Sequence, residues 1–195
     1  TLSDDRRQRQ MCIRDRVSYA DDLVICCRGS GEAAMAAMRA MMEKLKLPLN
    51  EAKTQLRTLP DESVDFLGYT IGRCYSPRTG RAYVGTCPSQ KAVQQVCREV
   101  SDMTSRRWLL LDASERVVRL NRLLVGWSNY FRLGPVSKAY GRVDMHTRGR
   151  LRQWLCAKHK VAGRGTSRFP DDYLYHEIGL VRLAMRTHSL PWANA

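Results

Sequence analysis

From Ser89 onward the apolar residues fall at helical spacing and basic residues fill the positions between them. No other feature constrains the fold as much. Val93, Val96 and Val100 share one face of a helix that Ser89 can cap. Asp112 or Ser114 can cap a second, in which Val117, Leu120, Leu124 and Trp127 form a stripe while Arg116, Arg119 and Arg122 share another face. A third helix is predicted over Val143 to Lys160, weakened by Gly149, with Leu151, Trp154 and Leu155 inward and Arg148, Arg150, Arg152, Lys158 and Lys160 outward. Residues 91–168 hold 17 Lys+Arg against 5 Asp+Glu, whereas residues 1–90 hold 14 against 11. Nearly all of the net +14 therefore sits on the helical segment. Charge concentrated in this way points to a polyanion, and nucleic acid fits best because phosphate neutralisation dominates its binding. A membrane surface fits less well, since the basic helices lie in a chain with a conventional core pattern.

The first half reads differently. Val17-Ser18-Tyr19 and Leu23-Val24-Ile25 are apolar, β-branched runs around Ala20-Asp21-Asp22, the pattern of a β-hairpin spanning Val17 to Cys27. Gly29-Ser30-Gly31 is a loop in which Ser30 can cap a helix over Ala33 to Leu47, whose Met35, Met38, Met41 and Leu45 stripe signifies core packing. Pro48 ends that helix, Lys53 to Leu56 begins an extended stretch, and Val64 to Ile71 reads as one strand. Gly72 to Pro88 is rich in Gly, Pro and Arg, with a turn at Pro77 to Gly80, and is the expected domain boundary. The first 16 residues follow neither period and are expected to be disordered or foreign to the fold. The predicted fold class is α+β, an α+β piece (β-hairpin, helix, strands) followed by an all-helical basic piece, without internal repeats.

Several functions are disfavoured. Seven cysteines form no CxxC pair and the four histidines show no ligand spacing, so neither a zinc site nor a disulfide framework is expected. Free cysteines suit a reducing cytosol. No apolar run approaches the roughly 18 residues of a membrane span. Adjacent carboxylates at Asp21 and Asp22, on a tight turn in a basic protein, suggest Mg²⁺ held against phosphate, because that hard cation is usually bound by one or two carboxylates plus substrate phosphates. The chain has three Asp-Asp dipeptides, and only this one lies in an apolar strand pattern. Trp127, Tyr130, Phe131 and Trp154 can stack on bases, but aromatics at helical spacing more often pack a core.

Taken in order, these segments resemble a family. Tyr19-Ala20-Asp21-Asp22-Leu23-Val24-Ile25 is similar to the metal-binding hairpin of reverse transcriptases. Leu45 to Asn50 leading into Lys53-Thr54, and then Asp65-Phe66-Leu67-Gly68-Tyr69, follow in that family's order. Leu120 to Phe131, Arg150 to Leu155, and Phe169 to Leu174 followed by Gly179-Leu180 resemble the maturase-specific region of group II intron proteins. The likeness runs over about residues 18–192.

The resemblance implies a partial reverse-transcriptase palm over residues 17–88, a helical thumb and maturase-specific domain over 89–168, and an extension of that domain over 169–195. It implies that Asp21 and Asp22 help to bind the two catalytic Mg²⁺ ions of an RNA-directed DNA polymerase, with Tyr19 and Ala20 beside the primer end or the incoming dNTP. Lys53 would meet phosphate, and Phe66, Leu67 and Gly68 would form a primer-side strand. Arg116, Arg119, Arg122, Arg148, Arg150, Arg152, Lys158 and Lys160 would grip the RNA template/DNA primer duplex and the folded group II intron RNA. The family also implies a cytoplasmic, bacterial, nucleic-acid-associated protein; oligomeric state stays open. A palm of this kind needs a further aspartate on an earlier strand, together with fingers. Asp4, Asp5 and Asp15 sit in no strand pattern, so the chain by itself is expected to be inactive as a polymerase. No His/Cys cluster of an HNH nuclease follows the helices. The alternative is a non-enzymatic module that binds structured intron RNA.

Overall fold

The computed structural model describes residues 15–76 and 78–189. The leader aspartates Asp4 and Asp5 lie outside the described residues, as does Pro77 of the predicted turn. The chain is mixed α/β, with two small antiparallel sheets, and divides into two compact units, Thr1–Thr58 and Leu59–Ala195.

In the first unit, β1 (Asp15–Tyr19) pairs antiparallel with β2 (Asp22–Cys26), with Tyr19 opposite Asp22. Ala20 takes φ 51° in the two-residue turn. The hairpin is the predicted one, although β1 begins at Asp15, where no strand was expected. Helix α1 (Gly31–Lys44) starts at Ser30, whose Oγ accepts the Ala33 N–H at 3.3 Å, and buries Ala34 and Met38 on one face. It stops at Lys44 rather than Leu47. Lys46 adopts φ 54°, and a residue before proline, here Leu47, is pushed away from the helical region. Lys53 ends a turn, and residues 54–58 run on without strand pairing. Asn50 organises that turn, its carbonyl accepting the N–H groups of Lys53 and Thr54 at 3.0 Å. Arg39 clamps Glu51 through two bonds of 3.0 and 2.8 Å.

The second unit begins with a three-stranded sheet, β3 (Val64–Phe66), β4 (Tyr69–Tyr75) and β5 (Ala82–Pro88), in that spatial order. Two expectations are corrected here. The single strand over Val64 to Ile71 is a hairpin, because Leu67 and Gly68 both take positive φ (49° and 78°), the requirement of a tight two-residue strand connection. Gly72 to Pro88 is not a boundary but most of two paired strands, Ile71 opposite Thr86 and Arg73 opposite Val84. Gly72 and Arg73 lie in the central strand β4, Gly85 lies in the edge strand β5, and Gly80 takes φ 66° in the turn between them.

Three helices follow: α2 (Gln90–Met103), α3 (Ala113–Tyr130) and α4 (Ser137–Lys158). Ser89 caps α2, accepting the Ala92 N–H at 3.2 Å, and Asp112 caps α3, accepting from the Ser114 and Glu115 N–H groups. Helix α4 begins six residues before the predicted start and runs through Gly149. A glycine costs about 1 kcal/mol in a helix, and the buried Tyr140, Val143, Leu151, Trp154 and Leu155 far outweigh it. Val93, Val96, Val100, Val117, Leu120 and Leu124 complete the core from α2 and α3.

The tail packs on the same core. Phe169, Leu174, Leu180 and Leu183 are buried, and Asp144 Oδ1 and Oδ2 accept the Leu183 and Ala184 N–H groups at 2.8 Å. Sheet and helices are tied by paired tyrosines. Tyr69 donates its hydroxyl to the Tyr130 carbonyl at 2.6 Å, and Tyr130 donates back to the Leu67 carbonyl at 3.0 Å.

Candidate nucleic-acid interface

In the first unit Asp21 and Asp22 are exposed at the hairpin tip, and Tyr19 is exposed beside them. Two carboxylates are within the one or two with which Mg²⁺ is held when phosphates supply the other oxygens. Among the described residues no three His, Cys, Asp or Glu side chains are grouped to hold a metal by themselves. Lys53 is exposed in the turn after α1. In the second unit Leu67 and Gly68 form the β3–β4 turn, with Phe66 half-buried at its edge. They line a cavity of about 310 Å³ with Ser89, Lys91, Trp127 and Phe131. Of the primer-side strand read at Phe66 to Gly68, Phe66 ends β3 while Leu67 and Gly68 turn the chain into β4.

Of the four aromatic residues, two pack in the core, Trp127 is half-buried and Tyr130 is exposed. Trp154 and Phe131 are buried. Trp127, Tyr130, Tyr69 and Tyr140 surround Phe131, with ring centroids 4.7 to 6.0 Å apart in its contacts and theirs. Tyr140 also bonds the Ser128 and Phe131 carbonyls at 2.9 Å, closing the end of α3.

Within the basic faces, most of the cations make contacts inside the fold. Arg116 is 2% exposed, its guanidinium 5.1 Å from the Trp108 ring. Burial, and then the Arg119 charge, lower its pKa, while Glu115 opposes them. Its Nε and Nη2 have no hydrogen-bond partner. Arg150 caps the carbonyl end of α2, donating to Ser101 O at 3.1 Å and Thr104 Oγ1 at 3.3 Å, where a cation complements the helix dipole. Lys158 donates to Leu109 O at 2.9 Å and Leu111 O at 2.8 Å. Arg152, whose side chain is 12% exposed, bonds Phe169 O and pairs with Asp171, which Arg148 also holds at 2.5 Å. Periodicity identified α4's faces, but it could not show that a tail and an interhelical loop cover the polar one.

Asp171 thus serves as the pin for two of the predicted RNA-facing arginines. Asp171→Asn is expected to cost about 1–2 kcal/mol at pH 7, a charge-assisted pair discounted for its half-exposed setting. Burial pushes the Asp171 carboxyl up, but the Arg152 hydrogen bond and the Arg148 charge together hold it below its ordinary 3.8. A depressed folded pKa gives stability that is present above the ordinary value and lost as pH falls through the folded one. Urea midpoints of the two proteins should therefore converge on acidification, and a gap constant with pH would contradict the clamp.

What remains for a polyanion is a different set. Arg119 is exposed but paired with Glu115 at 2.6 Å. Arg122 and Lys160 are exposed and carry no ion pair among the described residues. So are Arg98, Arg106, Arg142 and Arg164, which sequence periodicity did not select. The signal available for them was negative: between Met145 and Pro170 there is no Asp or Glu, and Met103 to Leu111 has none either.

Among the described residues no helix is long and apolar enough to cross a membrane. No curated protein matches the chain. One family model does match, over residues 93–169, which run from within α2 through α3 and α4 to Phe169. That segment, with its buried helical core and its unpaired arginines, matches the family described as the group II intron, maturase-specific domain.

Proposed function

We propose that this chain is the C-terminal portion of a group II intron-encoded protein and that its helical unit binds folded intron RNA, assisting splicing. The observation that carries this reading is the net +12 of residues 91–168, which nearly coincide with the matched segment. Arginine suits the task because its planar fork matches phosphate oxygens, and double-stranded RNA is recognised largely through backbone and shape. The test is binding of the 195-residue chain to a transcribed group II intron RNA, read by fluorescence anisotropy against salt. Affinity is expected to fall about 100-fold or more between roughly 50 and 200 mM salt, as about four or more phosphate contacts require. Duplex DNA should compete poorly. Absence of binding at low salt would overturn the reading.

A second reading concerns the exposed Asp21 and Asp22 pair. We place these residues as Mg²⁺ ligands of an RNA-directed DNA polymerase, with Tyr19 and Ala20 beside the primer end or dNTP. When bound, Mg²⁺ would stabilise the developing charge of phosphoryl transfer. The chain alone is expected to incorporate no dNTP; template-directed incorporation abolished by Asp21→Ala would overturn that expectation while supporting the ligand role of Asp21.

A further inference from the structure

We propose that the cavity between the α2–α3 loop and the second half of α4 receives an unpaired nucleotide of a bound RNA; the inference rests on the RNA-binding reading above. The cavity measures about 430 Å³, within the range of small-ligand sites. Leu109, Ala157 and Val161 give it apolar walls, while Arg106, Arg150 and Gln153 bring polar groups to it. No carboxylate lines it, so its charge complements a phosphate. Trp154, also on its wall, has a buried indole N–H without any hydrogen-bond partner.

One wall is built to keep its shape. The loop Ser105–Leu111 carries a short 3₁₀ turn, Arg106–Trp108, and no apolar core of its own. It is held by Lys158 on the Leu109 and Leu111 carbonyls and by the Trp108 indole on the Asp102 carbonyl at 3.1 Å. Arg116 lies over the same indole. This accounts for a cation kept in the interior: it braces a loop that offers Arg106 and Arg107 to solvent. The Leu110 side chain is 98% exposed at the loop's tip.

These groups suit a base turned out of a helix better than a helix itself. A phosphate of the turned-out nucleotide would meet Arg106, and the Arg150 plane and apolar walls would receive the base. Gln153 can both donate to and accept from a base edge. Proteins that read RNA in this way target loops and bulges, whose bases are free to leave the stack.

The test compares two fluorescein-labelled RNA hairpins, one fully paired and one with a single-nucleotide bulge, by anisotropy with the whole chain. The bulged hairpin should bind at least about fivefold more tightly, the lower end of what one stacked base contributes. Ala157→Phe, which fills the cavity from the helix side, and Arg106→Ala should each bring that ratio below about twofold, with circular-dichroism melting used to verify folding. Equal binding of both hairpins by the unmodified chain overturns the cavity inference while leaving the RNA-binding reading in place. A preference that both variants retain also overturns it. Failure to bind either hairpin at low salt overturns both.

Discussion

Trp154→Ala is expected to lower the unfolding free energy by about 3–5 kcal/mol, the range for removing a large aromatic side chain from a core. Trp154 is 2% exposed and sits among Leu151, Leu155 and the Lys158 ammonium, which lies 5.5 Å from its ring. Two terms act in opposite directions. The lost apolar burial and the cavity left behind destabilise, whereas the indole N–H already lacks a partner and its removal relieves a desolvation cost. The burial term is the larger, and the contrast with Trp154→Phe measures the other. That variant keeps the six-membered ring and loses the N–H, so its cost, a smaller cavity offset by the relieved N–H, should be about half that of Trp154→Ala or less. Urea denaturation of the three proteins decides it: equal midpoints for Trp154→Ala and the parent chain would mean that α4 is not the centre of the core.

Gly134→Ala is the second large effect, about 3–5 kcal/mol by the same measurement, placing it in the exceptional tail of single substitutions. Gly134 lies in the α3–α4 connection at φ +72°, and a Cβ there would fall on the Thr86 carbonyl oxygen of β5. The obstacle is backbone in a paired strand, with Thr86 opposite Ile71, so it has no rotamer by which to withdraw. Gly80 supplies the control. Its φ is +66°, but a Cβ at that position would meet nothing within 4 Å. Gly80→Ala should therefore cost only the left-handed strain of about 1–2 kcal/mol. Equal losses at both sites would show that the close approach of sheet and helical connection is absent.

Together these substitutions probe why strands 64–88 belong with the helices rather than with the hairpin before them. The tyrosine exchange between Tyr69 and Tyr130, the Phe131 ring against Gly68, and Gly134 against Thr86 are long-range contacts. No local pattern announces them. A stretch rich in Gly, Pro and Arg looks the same whether it links two domains or forms an edge hairpin.

What the sequence determined by itself is the local content of the fold. Three N-caps at Ser30, Ser89 and Asp112, the hairpin around Ala20-Asp21, the valine stripe of α2 and the leucine stripe of α3 follow from capping chemistry and periodicity, which act within a few residues. The concentration of positive charge on the helical segment is equally a property of the chain. Only the tertiary structure decided which of those charges remain for a partner. Arg116 is enclosed under a loop, Arg150 and Lys158 cap carbonyls, and Arg148 and Arg152 hold Asp171 of the tail. Each of these arginines and lysines occupies a polar position on its own helix. A buried cation and a solvated one are distinguished only by what folds over them, and that comes from residues distant along the chain.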